Sequence, residues 1–306
     1  MGIRIVVAVT DSRWFAFLRR RPDLGEVNFW SRSATGFKAL QPGELFLFKL
    51  KAPVNLIVGG GIYTHSSIMP LSLAWEAFGE ANGAGSLDEV RDIILDNRKG
   101  DAKTMGDIRI GCRILTRPFF FEEWQWMPPP TSFAPNIVRF KGFDTDTVEG
   151  RRLWDQVSQR MNWFAGSATP DEAARVGKPR IIQPRLGQGA FRLVVTDAYQ
   201  RRCAVTGERT LPVLDAAHIH PYGEGGPHSV SNGLLLRRDL HKLFDDGYVT
   251  VAPDLRFEVS RRIRDDYENG RAYYALQGKE IHRPVNSHEQ PDRNALAWHN
   301  DNRYLG

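Results

Sequence analysis

The 306-residue chain has few cysteines and no long apolar run. Its two cysteines, Cys112 and Cys203, lie 91 residues apart, which fits neither a disulfide framework nor a zinc-binding pair and is typical of a reducing cytoplasm. No apolar stretch approaches the ~18 residues of a membrane-spanning helix. The opening segment also lacks the full apolar core and the small-residue cleavage site of a signal peptide. We therefore expect a cytoplasmic protein whose chain begins with a β-strand.

An excess of one charge is also largely missing. The net charge is +5, and no basic tail or arm carries it. Such a balance permits nucleic acid as a partner but does not establish it. Apolar residues make up 42% of the chain and charged residues 25%, which excludes disordered and fibrous classes. The motifs must therefore decide the function.

The length predicts two domains, at roughly 150 residues each. Residues 164–184 are rich in Gly, Ser, Pro and charge and have little apolar periodicity, which is typical of a linker. We therefore expect one domain over residues 1–163 and a second over residues 185–306. The first half contains mainly predicted strands with a few helices, and the second contains a predicted strand and helix. We expect an α+β fold class.

Predicted strands dominate the first domain. The strand Asn55–Tyr63 contains three consecutive glycines, which predicts a bulge or a close backbone approach there. Ser86 and Glu89 form a capping-box pattern at the start of a helix. The other predicted elements are strands at Ile3–Val9, Gly43–Leu50 and Ile108–Leu115 and helices from Ser12 and over Pro70–Gly79.

Two of these segments resemble the PUA-like group of small β-barrels, in particular its EVE branch. The segment Phe37–Phe48 is similar to the family's entry into a barrel strand, with Glu44 where the family usually has Asp, and Ile57–Tyr63 is similar to the strand that follows. The resemblance implies a small β-barrel with helices and a pocket that receives a flipped, modified base. The candidate pocket residues are Trp30, Ser31 and Tyr63.

The second domain contains a pattern of polar residues that can carry chemistry. His218 ends a predicted strand, Asn232 follows a glycine-rich loop, and His241 lies on a predicted helix. Two imidazoles and an amide on a hairpin and a helix can converge on one divalent ion and a water molecule. A neutral imidazole can take a proton from that water near pH 7, and the metal can neutralise charge on a phosphate.

This pattern resembles the HNH, or ββα-metal, nucleases over some 60 residues from Gly187 to Gly247. The resemblance implies that His218 is the general base and that His241 binds a single Mg²⁺ or similar divalent ion. Asn232 then either orients the base or braces the loop. Many relatives have a metal ligand directly before the base, where this chain has Ala217, so Asp215 or a residue near Asp245 is expected to supply it. No structural zinc is expected, since Cys203 has no cysteine nearby.

Together the two resemblances predict a modification-dependent restriction endonuclease. Its expected partner is double-stranded DNA, with modified cytosine as the recognised base, and a homodimer is compatible with double-strand cleavage. Two alternatives stay open. The first domain could sense a small molecule or a protein partner, or the chain could be a reader of modified DNA that no longer cleaves.

Overall fold

Two units make up the chain, Met1–Arg185 and Leu186–Gly306. The structure, a computed structural model, describes residues 2–96, 107–164 and 186–306. The predicted linker over residues 164–184 lies outside the described residues, apart from its first residue. Within the described ranges, every helix is too short or too polar to cross a membrane.

A six-stranded sheet lies at the centre of the first unit, with the strand order β2-β5-β4-β3-β1-β6. β1 and β3 are parallel, and the other neighbouring strands are antiparallel. The strands are β1 (Arg4–Thr10), β2 (Glu26–Asn28), β3 (Leu45–Leu50), β4 (Ile57–Pro70), β5 (Arg109–Phe120) and β6 (Phe140–Asp144). The described helices are α1 (Ser12–Leu18), α2 (Leu71–Phe78), α3 (Leu87–Leu95) and α4 (Val148–Phe164).

Both faces of this sheet are covered. In β1, Ile5 and Val7 belong to one apolar cluster, whereas Val6 and Ala8 belong to a second. Alternate residues of a strand point to opposite faces, so the two clusters lie on opposite sides of the sheet. Such double burial explains why β1 reads as a continuous apolar run.

The glycines of β4 lie where two backbones come close. A Cβ on Gly60 would lie 2.6 Å from the carbonyl oxygen of Phe46, and one on Gly59 would lie 2.3 Å from that of Phe119. The pairing of β4 with β5 also shifts register between Gly60 and Ile62 and again between Tyr63 and His65. The glycine run therefore has both features that the sequence predicts, a bulge and a close approach.

The second unit contains two short hairpins and five described helices. β7 (Leu214–His218) pairs with β8 (Gly233–Arg237), and β9 (Val249–Val251) pairs with β10 (Phe257–Val259). The helices are α5 (Gln188–Ala198), α6 (Arg238–Asp245), α7 (Arg262–Tyr267), α8 (Arg271–Tyr274) and α9 (Arg293–Asn302). Helices and mainly antiparallel strands thus occur in both units, which confirms the α+β class.

Candidate active site and a second cavity

A hairpin followed directly by a helix positions the polar residues of the second unit. In the β7–β8 register His218 lies opposite Gly233. Helix α6 begins immediately after β8 and buries Leu240 and Phe244 against the apolar cluster of the unit. His241 and Asp245 are four residues apart, as Leu240 and Phe244 are. They therefore lie together on the helix surface, beside the buried stripe.

Asn232 holds the loop between β7 and β8 closed. Its Oδ1 accepts a hydrogen bond from the backbone N–H of His220 at 2.9 Å, and its Nδ2 donates to the carbonyl oxygens of His220 and Pro227 at 2.8 and 2.9 Å. The side chain is fully buried. The loop is tight, since a Cβ on Gly226 would meet the carbonyl oxygen of His220 at 1.9 Å.

These contacts bear on the two roles that the sequence leaves open for Asn232, orienting the base and bracing the loop. Every polar atom of the amide is used by the backbone of the loop. The structure therefore favours the second of the two predicted roles, bracing the loop. Asn232 acts on His218 only through the chain that it holds.

His218 is half-buried at the end of β7, packed between an aromatic ring and a second histidine. Its imidazole stacks on Phe191 at a centroid distance of 3.8 Å and an interplanar angle of 10°. Its Nε2 lies 3.2 Å from Nδ1 of His228, so one ring donates a hydrogen bond to the other. Burial, reinforced by the nearby His228 and His241, lowers the pKa of His218 to about 4. The imidazole is therefore neutral at pH 7 and able to accept a proton.

His241 lies between two carboxylates. Its Nδ1 is 3.3 Å from Oδ2 of Asp215, and its Nε2 is 3.4 Å from Oδ2 of Asp245. Burial lowers the pKa of His241, but the hydrogen bond to Asp215 and the charge of Asp245 outweigh it and raise the pKa above its ordinary value. The two nitrogens thus face different acidic partners.

Asp215, predicted as a metal ligand, has both oxygens occupied by side chains. Its Oδ1 lies 3.3 Å from Nε of Arg192, and its Oδ2 faces His241. Asp245, by contrast, is exposed and has only His241 at ion-pair distance among the described residues. Within the described ranges no three His, Cys, Asp or Glu side chains are arranged to hold a metal ion. Asp245 is therefore the more exposed of the two carboxylates that face His241, and it lies on the Nε2 side of the ring.

The sequence assigned no role to two contributors to this site, His228 and Phe191, and pointed only to the neighbourhood of a third, Asp245. His228 contacts His218, Phe191 stacks on it, and Asp245 faces His241. The four-residue spacing of His241 and Asp245 on a helix is the signal that could have singled out Asp245. Ala217 is fully buried in the apolar cluster, so a ligand at that position would point into the core.

A second site is the cavity of about 740 Å³ in the first unit. Trp30 and Ser31, both predicted as pocket residues, line it. The indole Nε1 of Trp30 donates to the carbonyl oxygen of Asn82 at 2.9 Å, and the Ser31 Oγ donates to the carbonyl oxygen of Ser33 at 3.1 Å. These bonds fix the polar loop that carries both residues.

Tyr63, the third predicted pocket residue, does not line this cavity. It is buried in the apolar cluster of the unit, with its ring centroid 5.3 Å from that of Phe37, and it is absent from the described lining of the cavity. The same cluster contains Ala8 and Phe46 of the cavity wall. Tyr63 therefore lies on the cavity side of the sheet, within the core and not in the lining.

The chain was compared with curated protein sequences, solved structures and protein families. A comparison with curated protein sequences found no match. Among solved structures, an ASCH protein from Zymomonas mobilis is 12% identical, with 49% of this chain and 92% of that chain covered and a TM-score of 0.33. The modification-dependent restriction endonuclease TagI is 13% identical, with 92% and 76% covered and a TM-score of 0.28. The phosphorothioation-dependent type IV restriction endonuclease ScoMcrA is 13% identical, with 79% and 52% covered and a TM-score of 0.21.

Residues 203–252 match the HNH endonuclease family. The matched segment contains the β7–β8 hairpin, helix α6 and all four predicted site residues of the second unit, Asp215, His218, Asn232 and His241. Nucleases of this family generally depend on a divalent metal ion. The segment 203–252 is therefore an HNH endonuclease domain, and it makes the chain a DNA-cleaving hydrolase.

Proposed function

We propose that the chain is a metal-dependent endonuclease that cleaves DNA bearing a modified base, with modified cytosine as the target, and so restricts foreign DNA in the cytoplasm. The observation that carries the proposal is the separation of two sites. A neutral imidazole beside a His–Asp pair lies in the HNH domain, and a cavity with an indole in its wall lies in the other unit. The first site provides cleavage and the second provides selection.

His218 is the general base of this proposal. Its unprotonated imidazole takes a proton from a water molecule, whose oxygen attacks the phosphorus while the bond to the leaving oxygen breaks. The orientation of the ring is fixed, because Phe191 stacks flat against it and Nδ1 of His228 lies 3.2 Å from its Nε2. The leaving oxygen takes its proton from solvent.

The donor chemistry of the site fits a divalent ion. Nε2 of His241 and Oδ2 of Asp245 are 3.4 Å apart, a separation that allows both atoms to reach one ion at about 2.0–2.2 Å. Asp215, on the opposite nitrogen of His241, fixes the orientation of the ring, as carboxylates commonly do for metal-binding histidines. We assign the ligand role to His241 and Asp245 and the orienting role to Asp215. Mg²⁺ or a similar ion would neutralise charge on the scissile phosphate.

Selection of the target belongs to the first unit in this proposal. Contacts to the DNA backbone position a nuclease without reading sequence. A base can be read chemically once it is extruded from the duplex, and a cavity of about 740 Å³ lined by Trp30 has room for it. Two copies of the chain acting on opposite strands would complete a double-strand break.

The test compares cleavage of two otherwise identical duplexes, one with 5-methylcytosine and one with cytosine, by the full chain with Mg²⁺ or Mn²⁺. We expect the modified duplex to be cut faster and chelation to stop cleavage of both. His218→Ala should bind both duplexes as the unaltered chain does but cleave neither. Equal cleavage of modified and plain DNA would contradict the selective role, whereas full activity of His218→Ala would contradict the mechanism.

A further inference from the structure

Arg113 is a buried cation on the wall of the cavity in the first unit. It is 6% exposed and lies in the middle of β5. Its backbone N–H and C=O both pair with Phe29, the neighbour of Trp30, and its other side faces Ser66 of β4. Arg113 is therefore held from both sides and is not a mobile surface residue.

Among the described residues, the guanidinium of Arg113 has no acidic partner, and its buried Nε has no hydrogen-bond partner. Its Cζ lies 4.9 Å from the centroid of the Phe37 ring. Burial lowers its pKa, and the neighbours that also act on that pKa are Tyr63, Cys112 and Arg139, with no carboxylate of the described residues among them. A buried cation without a counter-ion is costly.

The remaining charges of the cavity do not supply that counter-ion. Of its described lining residues, Arg32, Lys51, Arg113 and Arg139 are basic, and Asp11 is acidic. The carboxylate of Asp11 is 3.6 Å from Nζ of Lys51 and 3.7 Å from Nε of Arg13. Asp11 is thus already shared by two other cations, and the cavity keeps an excess of positive charge.

We propose that this cavity binds a nucleotide through an oxyanion that pairs with Arg113, with the nucleobase packed against Trp30. A guanidinium donates two parallel hydrogen bonds to a carboxylate or phosphate, and Nε is one of the two donors in its side-on mode. The oxyanion comes either from the phosphate of the extruded nucleotide or from a carboxylate on the base. The inference rests on the proposed function, since it names the chemistry of the same cavity.

The experiment measures binding to the full chain by calorimetry, with chelator present so that no cleavage occurs. The probes are deoxycytidine, deoxycytidine 5′-monophosphate and 5-carboxydeoxycytidine. We expect at least one of the two anionic probes to bind about tenfold or more tightly than deoxycytidine, as an ionic hydrogen-bonded pair would require. The monophosphate or the carboxylated nucleoside then identifies the source of the oxyanion.

Arg139→Gln is the matched control for Arg113→Gln. Both changes remove one positive charge from the cavity wall, but Arg139 is exposed. Arg113→Gln should abolish the advantage of the anionic probe, and Arg139→Gln should change it less than about threefold because solvent screens an exposed charge. Equal losses in the two variants would overturn the proposal, as would equal affinity for all three probes or no binding of either anion.

Arg113→Met separates a ligand-binding role from a structural one. Because the substitution removes an unpaired buried charge, the free protein should melt at an equal or higher temperature, and the anionic probe should no longer raise the melting temperature. A lower melting temperature of free Arg113→Met would show that the arginine is structural.

The proposed function and this inference can fail separately. If DNA with 5-methylcytosine and plain DNA are cleaved equally while Arg113 still governs anion binding, the proposed function fails and this inference stands. If the preference for modified DNA persists in Arg113→Gln, the inference fails and the proposed function stands.

Discussion

His241 uses its two ring nitrogens for different purposes. Nδ1 donates to Asp215, which leaves Nε2 and the carboxylate of Asp245 on the side where an ion can bind. The aspartate that follows, Asp246, instead pairs with Lys242 at 2.6 Å. Two adjacent acidic residues at the end of α6 therefore have different environments, and they provide a matched pair of variants.

We predict that Asp245→Asn raises the metal concentration needed for half-maximal cleavage, whereas Asp246→Asn leaves it unchanged.

His241→Ala should lose activity and regain part of it at high metal concentration. The missing ligand lowers the affinity for the metal, but the general base His218 is still present. Asp215→Asn should weaken metal affinity by about 10–100-fold, the usual effect of losing an orienting carboxylate. The measurement is the rate of plasmid nicking during a Mg²⁺ or Mn²⁺ titration. Identical titrations for Asp245→Asn and Asp246→Asn would remove Asp245 from the ligand set.

The pKa values of His218 and His241 predict how cleavage depends on pH. His218 stays neutral down to a pKa of about 4, so it does not limit the rate between pH 5 and 7. The pKa of His241 without metal is raised, and a protonated imidazole cannot bind an ion. As the pH falls through that raised pKa, protons compete with the metal. We therefore expect higher metal concentration to shift the acid limb of the rate profile to lower pH, and a limb that does not move with metal concentration would contradict this assignment.

The loop between β7 and β8 depends on a single amide. Asn232→Ala would leave the N–H of His220 and the carbonyls of His220 and Pro227 without their partner. We expect a loss of about 1–3 kcal/mol in the free energy of unfolding and a fall in cleavage rate at temperatures where the protein remains folded. Asn232→Asp should behave similarly, because a carboxylate cannot donate to the two carbonyls.

The control for Asn232 is Asn300, whose Nδ2 donates to the carbonyl oxygens of Val251 and Leu296, neither of which belongs to the loop. Asn300→Ala should lower stability but not the cleavage rate of the folded protein. Unfolding by urea and single-turnover cleavage on the same samples distinguish the two effects. If both variants slowed cleavage equally, Asn232 would have no special relation to His218.

Helix α9 is joined to the end of α6 by a buried histidine. His299 donates from Nε2 to the carbonyl oxygen of Phe244 at 3.0 Å and accepts at Nδ1 from the hydroxyl of Thr250 at 2.8 Å. Burial lowers its pKa to about 4. In the unfolded chain His299 takes up a proton near pH 6.5, but in the folded protein it does so only near pH 4. The contribution of neutral His299 to the free energy of unfolding is therefore fully present above pH 6.5 and is lost as the pH falls towards 4.

The loss from His299 amounts to about 3 kcal/mol at most. His299→Gln should be less stable than the unaltered chain at pH 7 but should show a flatter decline of unfolding free energy between pH 6.5 and 4. Urea melts at four pH values in this range measure the slope. A slope unchanged by the substitution would mean that His299 is not the group that takes up the proton.

How far the sequence predicts these elements depends on the range of the contacts. The strand that ends at His218, the turn at Asn232 and the helix with His241 follow from local patterns, and the structure contains all three. The contacts of Phe191 and His299 with the site elements span tens of residues, and no local periodicity reports them. Tyr63 shows the same limit in a strand, because its burial against Phe37 is a contact that the pattern of β4 alone does not contain.

Within the whole chain, the two proposed sites belong to different units and rest on different side chains. Trp30 lines the cavity of the first unit, and His218 belongs to the HNH domain. Extruding a base costs a few kcal/mol, and stacking on an aromatic ring can return about 1–3 kcal/mol. A variant of Trp30 should therefore change which DNA is bound, while a variant of His218 should change whether bound DNA is cut.

We predict that Trp30→Ala weakens binding to modified duplex by about 1–3 kcal/mol, which is roughly 5–150-fold in dissociation constant. Trp30→Phe keeps a stacking ring but loses the N–H that donates to Asn82, so it should retain most of the affinity if stacking provides the binding energy.

Trp124, which is 67% exposed and outside the described cavity lining, provides the control, and Trp124→Ala should bind as the unaltered chain does. The measurement is fluorescence anisotropy with chelator, on modified and plain duplexes, alongside a thermal melt of each variant. In the double variant with His218→Ala, the binding loss should equal that of Trp30→Ala alone, because His218→Ala by itself is expected to leave DNA binding unchanged. A binding loss that is the same for plain and modified DNA would show that Trp30 supports the fold of the unit and does not read a base.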